Sequence, residues 1–297
     1  MFGAEAGTIR SLRRCCALIA TLAVEVFFAP GRPALADGSV GALPPTTNQW
    51  QPIGPTLTTV LTLVRDPVEN GTLFAGVNYG GVYRSTDGGL NWAAVPGPFA
   101  ADAIFGFAIA PTQPRHYLVA TQNGGVYRSL DGGATWTASN SGLLTTSVRN
   151  VAYNPLNASH ALAATHAGIF QSTDGGTTWL ATNAGPDALY GEQLLFDPLH
   201  SGVVYAGTLG AGIYRSTDGG ATWQTFSERI GAKDIVSLVW DVNQPTRIWT
   251  ATPAGVFSRN AGDAFWTEWT NNIPDTVQIR HVTAVPGRSD ILASTTC

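Results

Sequence analysis

The sequence predicts an all-β fold, a propeller of four-stranded blades, from three observations. A thirteen-residue phrase recurs four times: GGVYRSTDGGLNW (Gly80 to Trp92), GGVYRSLDGGATW (Gly124 to Trp136), AGIFQSTDGGTTW (Ala167 to Trp179) and AGIYRSTDGGATW (Ala211 to Trp223). With a worn fifth copy from Ala254 to Trp266, the closing tryptophans lie 44, 43, 44 and 43 residues apart, a period expected of stacked supersecondary units. Between the copies, every period holds two further β-rich runs, so one period carries four strands, the content of a blade.

Each phrase reads as a hairpin. Val82 to Ser85 is a short strand, Asp-Gly-Gly supplies the left-handed turn positions, and Trp92 opens the next strand. The aspartate accepts backbone N–H groups of its own turn and the tryptophan covers that turn. Ahead of each hairpin, an apolar strand ends at a proline (Thr58 to Pro67, Asp102 to Pro111, Val148 to Pro155, Leu189 to Pro198, Ile235 to Pro245) and a second strand follows. At the N-terminal side, residues 37–49 read as a tail, and Trp50, 42 residues before Trp92, reads as the closing tryptophan of an incomplete repeat. After Trp266 two strands follow, Val277 to Pro286 and Asp290 to Thr295. Since a propeller must hide the edges of its first and last blades, the sequence predicts six blades, the last shared between the termini, with a third strand from Gly38 to Leu43 and a fourth at Trp50. Five blades, or a truncated larger propeller, are the alternatives.

The hairpin pattern Ser-x-Asp-x-Gly-x-Thr-Trp resembles the Asp-box, or BNR repeat, of sialidases, xyloglucanases, sortilin-type receptors and the photosystem II assembly factor. Ser129, Asp131, Gly133, Thr135 and Trp136 match it fully, as do the copies ending at Trp179 and Trp223; the first copy has Asn91 for threonine, and the fifth has Ala261 and Asp263 in place of the aspartate and glycine. The resemblance implies a structural role for Asp87, Trp92, Asp131, Trp136, Asp174, Trp179, Asp218 and Trp223, on the face away from any active centre.

Composition narrows the function. Charged residues are only 12% of the 297, the net charge is −4, and Lys233 is the only lysine, so no basic patch exists to neutralise a nucleic-acid backbone. Arg10, Arg13 and Arg14, an apolar run from Cys15 to Pro30 and Ala34-Leu35-Ala36 read as a signal peptide over residues 1–36, cleaved before Asp37, with the propeller domain over 37–297. The expected product is a secreted or periplasmic monomer with no transmembrane segment in the mature chain. Histidines and cysteines show no metal-ligand spacing and no phosphate loop appears, so neither metal nor cofactor is expected.

Positions one period apart should form rings around the central channel. One ring is Leu61, Phe105, Arg149, Glu192, Val236 and Arg280; the next is Thr62, Gly106, Asn150, Gln193, Ser237 and His281. Charges at three members of an otherwise apolar ring point either to an inter-blade ion pair or to a ligand site made of Arg149, Glu192 and Arg280 with Asn150, Gln193 and His281. Arg84, Arg128 and Arg215 recur with the hairpin and read as blade-surface residues. The resemblance to sialidases implies, for an enzyme, a tyrosine nucleophile (Tyr190) helped by Glu192, an acid at Asp102 or Asp234, and arginines gripping a carboxylate; the Arg-Ile-Pro motif that opens sialidase domains is absent. The sequence therefore favours a non-catalytic propeller binding a protein or glycan with an anionic group, with a glycoside hydrolase of sialidase-like type, acting on an anionic sugar, as the alternative.

Overall fold

The computed structural model describes residues 9–11, 55, 59–182, 190–200, 202–260, 262–269, 278–287 and 291–295. Five sheets have four antiparallel strands each, in chain order. Blade one is Val60–Arg65, Leu73–Val77, Val82–Ser85 and Ala93–Val95; blade two is Ile104–Ala110, Gln113–Thr121, Val126–Ser129 and Thr137–Ala138. Blade three is Val148–Asn154, Asn157–Thr165, Gly168–Ser172 and Leu180–Ala181, and blade four is Tyr190–Phe196, Val204–Leu209, Ile213–Ser216 and Gln224–Thr225. Blade five is Ser237–Trp240, Arg247–Thr252, Gly255–Asn260 and Thr267–Glu268. First strands of successive blades are neighbours, which places them innermost.

Among the described residues the count of complete blades is thus five, the alternative expectation, rather than six. A sixth sheet has three strands, Ile279–Ala284, Ile291–Thr295 and Ile9–Ser11. Its third strand runs parallel, with Ile9 opposite Ile291, and comes from the segment read as a leader rather than from Gly38 to Leu43. Gly38 to Leu43 and Trp50, on which the shared blade depended, lie outside the described residues.

The core is a series of layers between adjacent blades. Phe74 of blade one stacks on Phe107 of blade two at 4.7 Å, and Leu162 and Ile169 of blade three pack with Leu194, Phe196 and Trp223 of blade four. Because both faces of a blade are covered, its strands are apolar on both sides instead of alternating. Convergence toward the axis demands small residues on second strands: a Cβ added to Gly76 would stand 2.6 Å from Ile104, and one on Gly207 would stand 2.5 Å from Ile235.

The Asp-box turns form as the sequence predicts. In the second copy Asp131 Oδ1 accepts the Ser129 hydroxyl at 2.8 Å and the Thr135 N–H at 2.9 Å, while Oδ2 accepts the Thr135 hydroxyl at 2.6 Å. The same bonds recur at Asp174 and Asp218, and Asn91 substitutes for threonine at Asp87. Gly132 and Gly133 take φ of 78° and 88°, which the turn requires. In the fifth copy Asp263 accepts Asn260 instead, through backbone and side chain.

The tryptophans play two roles where the sequence suggested one. Trp92 and Trp136 donate to carbonyls of their own turns, Gly89 and Gly133. Trp179, Trp223 and Trp266 instead donate to the preceding blade, at Ser139 O, Thr182 Oγ1 and Phe226 O.

A second repeated turn escaped the sequence reading. Buried Asp66, Asn154, Asp197 and Asp241 each end an inner strand and accept backbone N–H groups two or three residues on: Val68 and Glu69, Leu156, Leu199 and His200, Asn243 and Gln244. These side chains fix the loop between first and second strands as Asx turns.

Candidate functional site

Backbone bonds define two faces. The box turns bond the loops between first and second strands, as Gly88 N–H to Gly71 O and Gly219 N–H to Gly202 O. At the opposite end, loops between second and third strands bond the segment opening the next blade, as Gly125 N–H to Thr146 O and Gly212 N–H to Lys233 O. The candidate residues belong to this opening end.

The ring found by counting periods has a structural origin. The register of the inner strand shifts between Val60 and Thr62, Ile104 and Gly106, Val148 and Asn150, Gly191 and Gln193, and Ile279 and His281. The skipped residues are Leu61, Phe105, Arg149, Glu192 and Arg280, so five of the ring's six positions are β-bulges, a device that redirects a side chain beside a channel or site.

Three consecutive members touch. The Arg149 guanidinium lies over the Phe105 ring at 4.0 Å and its Nε donates to both Glu192 oxygens, at 2.9 and 3.1 Å. Side-chain exposure is 28% for Arg149 and 12% for Glu192. Burial pushes the Glu192 carboxyl up, against the opposing pull of Arg149. Only Nε of Arg149 is engaged, which leaves its terminal nitrogens without a partner among the described residues. Arg280 is exposed and donates to Gln278 at 3.1 Å, making no ion pair among the described residues.

In the adjoining ring, the half-buried Asn150 and Gln193 side chains make no hydrogen bond among the described residues. His281 is buried, with Nδ1 3.0 Å from Ser237 Oγ and Nε2 lacking a partner. Desolvation holds its pKa down to about 4, so at neutral pH the imidazole is uncharged.

The residues named for an enzyme are dispersed. Tyr190 is exposed, its ring edge-on to His166 at 5.7 Å. Asp102 holds the second-to-third-strand loop of its own blade, accepting Asn123 N–H at 3.1 Å and Gly124 N–H at 2.9 Å. Asp234, at the entry to blade five, holds the corresponding loop of blade four, accepting Gly210 N–H at 2.8 Å. Of the arginines that recur with the hairpin, Arg84 pairs with Glu69 of its own blade at 2.7 Å, Arg128 reaches Tyr153 of blade three, and the Nε atoms of both arginines are buried without partners.

A family model described as BNR/Asp-box repeat matches residues 214–225, the third strand of blade four and its box. Solved structures with the same fold include an ancestral GH74 enzyme, at a TM-score of 0.66 and 21% identity over 76% of this chain and 33% of that one. The chain carries an Asp-box repeat on a β-propeller fold. The GH74 xyloglucanase from Xanthomonas campestris matches the propeller at a TM-score of 0.57 and 15% identity, covering 72% of this chain and 38% of that one. YCF48 from Cyanidioschyzon merolae matches at 0.53 and 21%, covering 66% and 64%. The propeller spans about a third of the length of the GH74 enzymes it matches. No curated protein matches it in sequence. Among the described residues no group of three or more His, Cys, Asp or Glu could hold a metal, and no helix is long and apolar enough to cross a membrane.

Proposed function

We propose that this propeller is a non-catalytic binding module, secreted or periplasmic and monomeric, that takes an anionic group of a protein or glycan ligand at its opening face. The observation that carries this reading is the state of Arg149. Phe105 supports its guanidinium plane and Glu192 holds Nε, so the terminal N–H groups are oriented and uncommitted, the arrangement suited to a carboxylate or sulfate. Asn150 and Gln193 add uncommitted amides in the next ring. The acids an enzyme would need serve other purposes here: Glu192 positions Arg149, and Asp102 and Asp234 hold loops.

The alternative is a sialidase-like glycoside hydrolase. It draws on the exposure of Tyr190 two residues from Glu192 and on the fold shared with GH74 enzymes, although fold alone assigns no chemistry. The deciding experiment is a glycan and peptide binding screen on the purified chain, with turnover measured on every hit. Anionic ligands bound without turnover support the module; hydrolysis of a bound sialoside, abolished by Tyr190→Phe, supports the enzyme.

A further inference from the structure

A cavity of about 290 Å³ opens on the box face between blades one and two, lined by Asp66, Glu69 and Arg84 from blade one and Arg115, Tyr117 and Asp131 from blade two. It lies at the opposite end of the molecule from Arg149, and its polar groups can be sorted by what already occupies them. Asp131 is committed, with both oxygens taken by its box turn. Arg84 and Glu69 neutralise each other at 2.7 Å. Asp66 is different. Its residue is only 2% exposed, Oδ1 holds the Val68 and Glu69 N–H groups, and nothing among the described residues donates to Oδ2.

The repeat supplies the comparison that gives this vacancy meaning. At the equivalent turns the second side-chain atom is always engaged: Asp241 Oδ2 accepts the Trp249 indole N–H at 2.9 Å, Asp197 Oδ2 meets His200 Nδ1 at 3.0 Å, and Asn154 Nδ2 meets His160 Nδ1 at 3.0 Å. Trp249 pairs with Val239 two residues before Asp241, and the residue in that register before Asp66, opposite Val64, is Phe74. Phenylalanine has no N–H to give. Blade one therefore keeps the acceptor of its sister blade and lacks the internal donor, and Asp66 lines the cavity.

Asp66 lines the cavity, and the natural complement of a carboxylate oxygen that has no donor from the protein is a protonated amine. The other uncommitted charge of the cavity is the Arg115 guanidinium, which is exposed and without a partner among the described residues. Burial, then the nearby Asp66 charge, pushes the Tyr117 phenol up to about 12, so it stays protonated and remains a hydrogen-bond donor. We propose that this cavity is a second binding site, for a small zwitterion of amino-acid type, with its ammonium against Asp66 and its acid group against Arg115. The volume accommodates a molecule of that size.

The site is tested by calorimetric titration of the full chain with three probes: γ-aminobutyrate, butylamine and butyrate. The expected result is that γ-aminobutyrate binds at least about tenfold more tightly than either half, and that Asp66→Asn and Arg115→Gln each remove about tenfold or more of that affinity. Phe74→Trp, which places an indole N–H where blade five has one, should abolish binding. If that larger side chain prevents folding, as judged by circular dichroism, Asp66→Asn still decides. Absence of heat with all three probes would overturn the site. Equal affinity for butylamine and γ-aminobutyrate would overturn its zwitterionic character, and unchanged binding by a folded Asp66→Asn chain would overturn the role of Asp66.

Discussion

Trp179 donates its indole N–H across a blade boundary to the carbonyl oxygen of Ser139, at 2.8 Å, whereas Trp136, one repeat earlier, donates to Gly133 within its own turn. Two residues with the same sequence context therefore hold different things together. Trp179→Phe should destabilise the chain by about 1 to 3 kcal/mol, because the Ser139 carbonyl loses a buried partner, and Trp136→Phe by less. Trp179→Ala should cost about 3 to 5 kcal/mol through the lost aromatic volume. Denaturant midpoints for the three variants check the order.

Glu192 makes stability depend on pH in a particular direction. Its carboxyl is raised in the fold by burial, so its contribution is fully present below the unfolded value and is lost as pH rises through the folded one. Glu192→Gln should flatten this fall, and Arg149→Ala should steepen it by removing the opposing charge. Chemical denaturation between about pH 4 and pH 8 reads both slopes.

The Asp-box carboxyls have the opposite sign. Bonds from Asn91 hold Asp87, and bonds from Thr135 hold Asp131, down to about 2, below the ordinary value of 3.8. Asp174 is also at about 2, since bonds from Thr178 outweigh the opposing desolvation. Stability from these groups is present above 3.8 and lost as pH falls toward 2. Asp131→Asn should lose stability at neutral pH and show a shallower acid transition than wild type, measured by fluorescence.

Ligand binding at the opening face should depend on Arg149. With a sulfated or carboxylated hit from the screen, Arg149→Ala should weaken binding by about 1.5 to 3 kcal/mol, and Arg84→Ala, on the far face with Glu69, should leave it unchanged. Arg280→Ala tests whether the ligand reaches the sixth sheet as well.

Processing is checked by mass spectrometry of exported protein, where the expected N-terminus is Asp37. Cleavage there removes Ile9–Ser11 and frees the edge of the Ile291–Thr295 strand. A form beginning at Met1 would refute the leader.

The fold was readable because its period is written in tryptophan, glycine and aspartate, residues that a box turn admits few substitutes for. Counting that period also found the bulge positions at Leu61, Phe105, Arg149, Glu192 and Arg280, although no local pattern announces a bulge. The same period places Asp66, Asn154, Asp197 and Asp241 in register, but three of them precede a proline, which by itself marks only the end of a strand. Which carbonyl a tryptophan reaches could not be read, since Ser139 and Trp179 are joined by the angle between blades. Nor could Asp102 and Asp234 be recognised as loop holders, because their partners Gly124 and Gly210 are 22 and 24 residues away.

The bulges have a consequence for how such a chain can change. A bulged residue sits outside the regular ladder, so its identity is free of the pairing that its neighbours must satisfy. Leucine, phenylalanine, arginine and glutamate are all carried there by nearly the same backbone. The channel therefore resembles a combination lock whose wheels turn independently of the case: one substitution per blade rewrites what the opening meets, while the blades go on stacking as before.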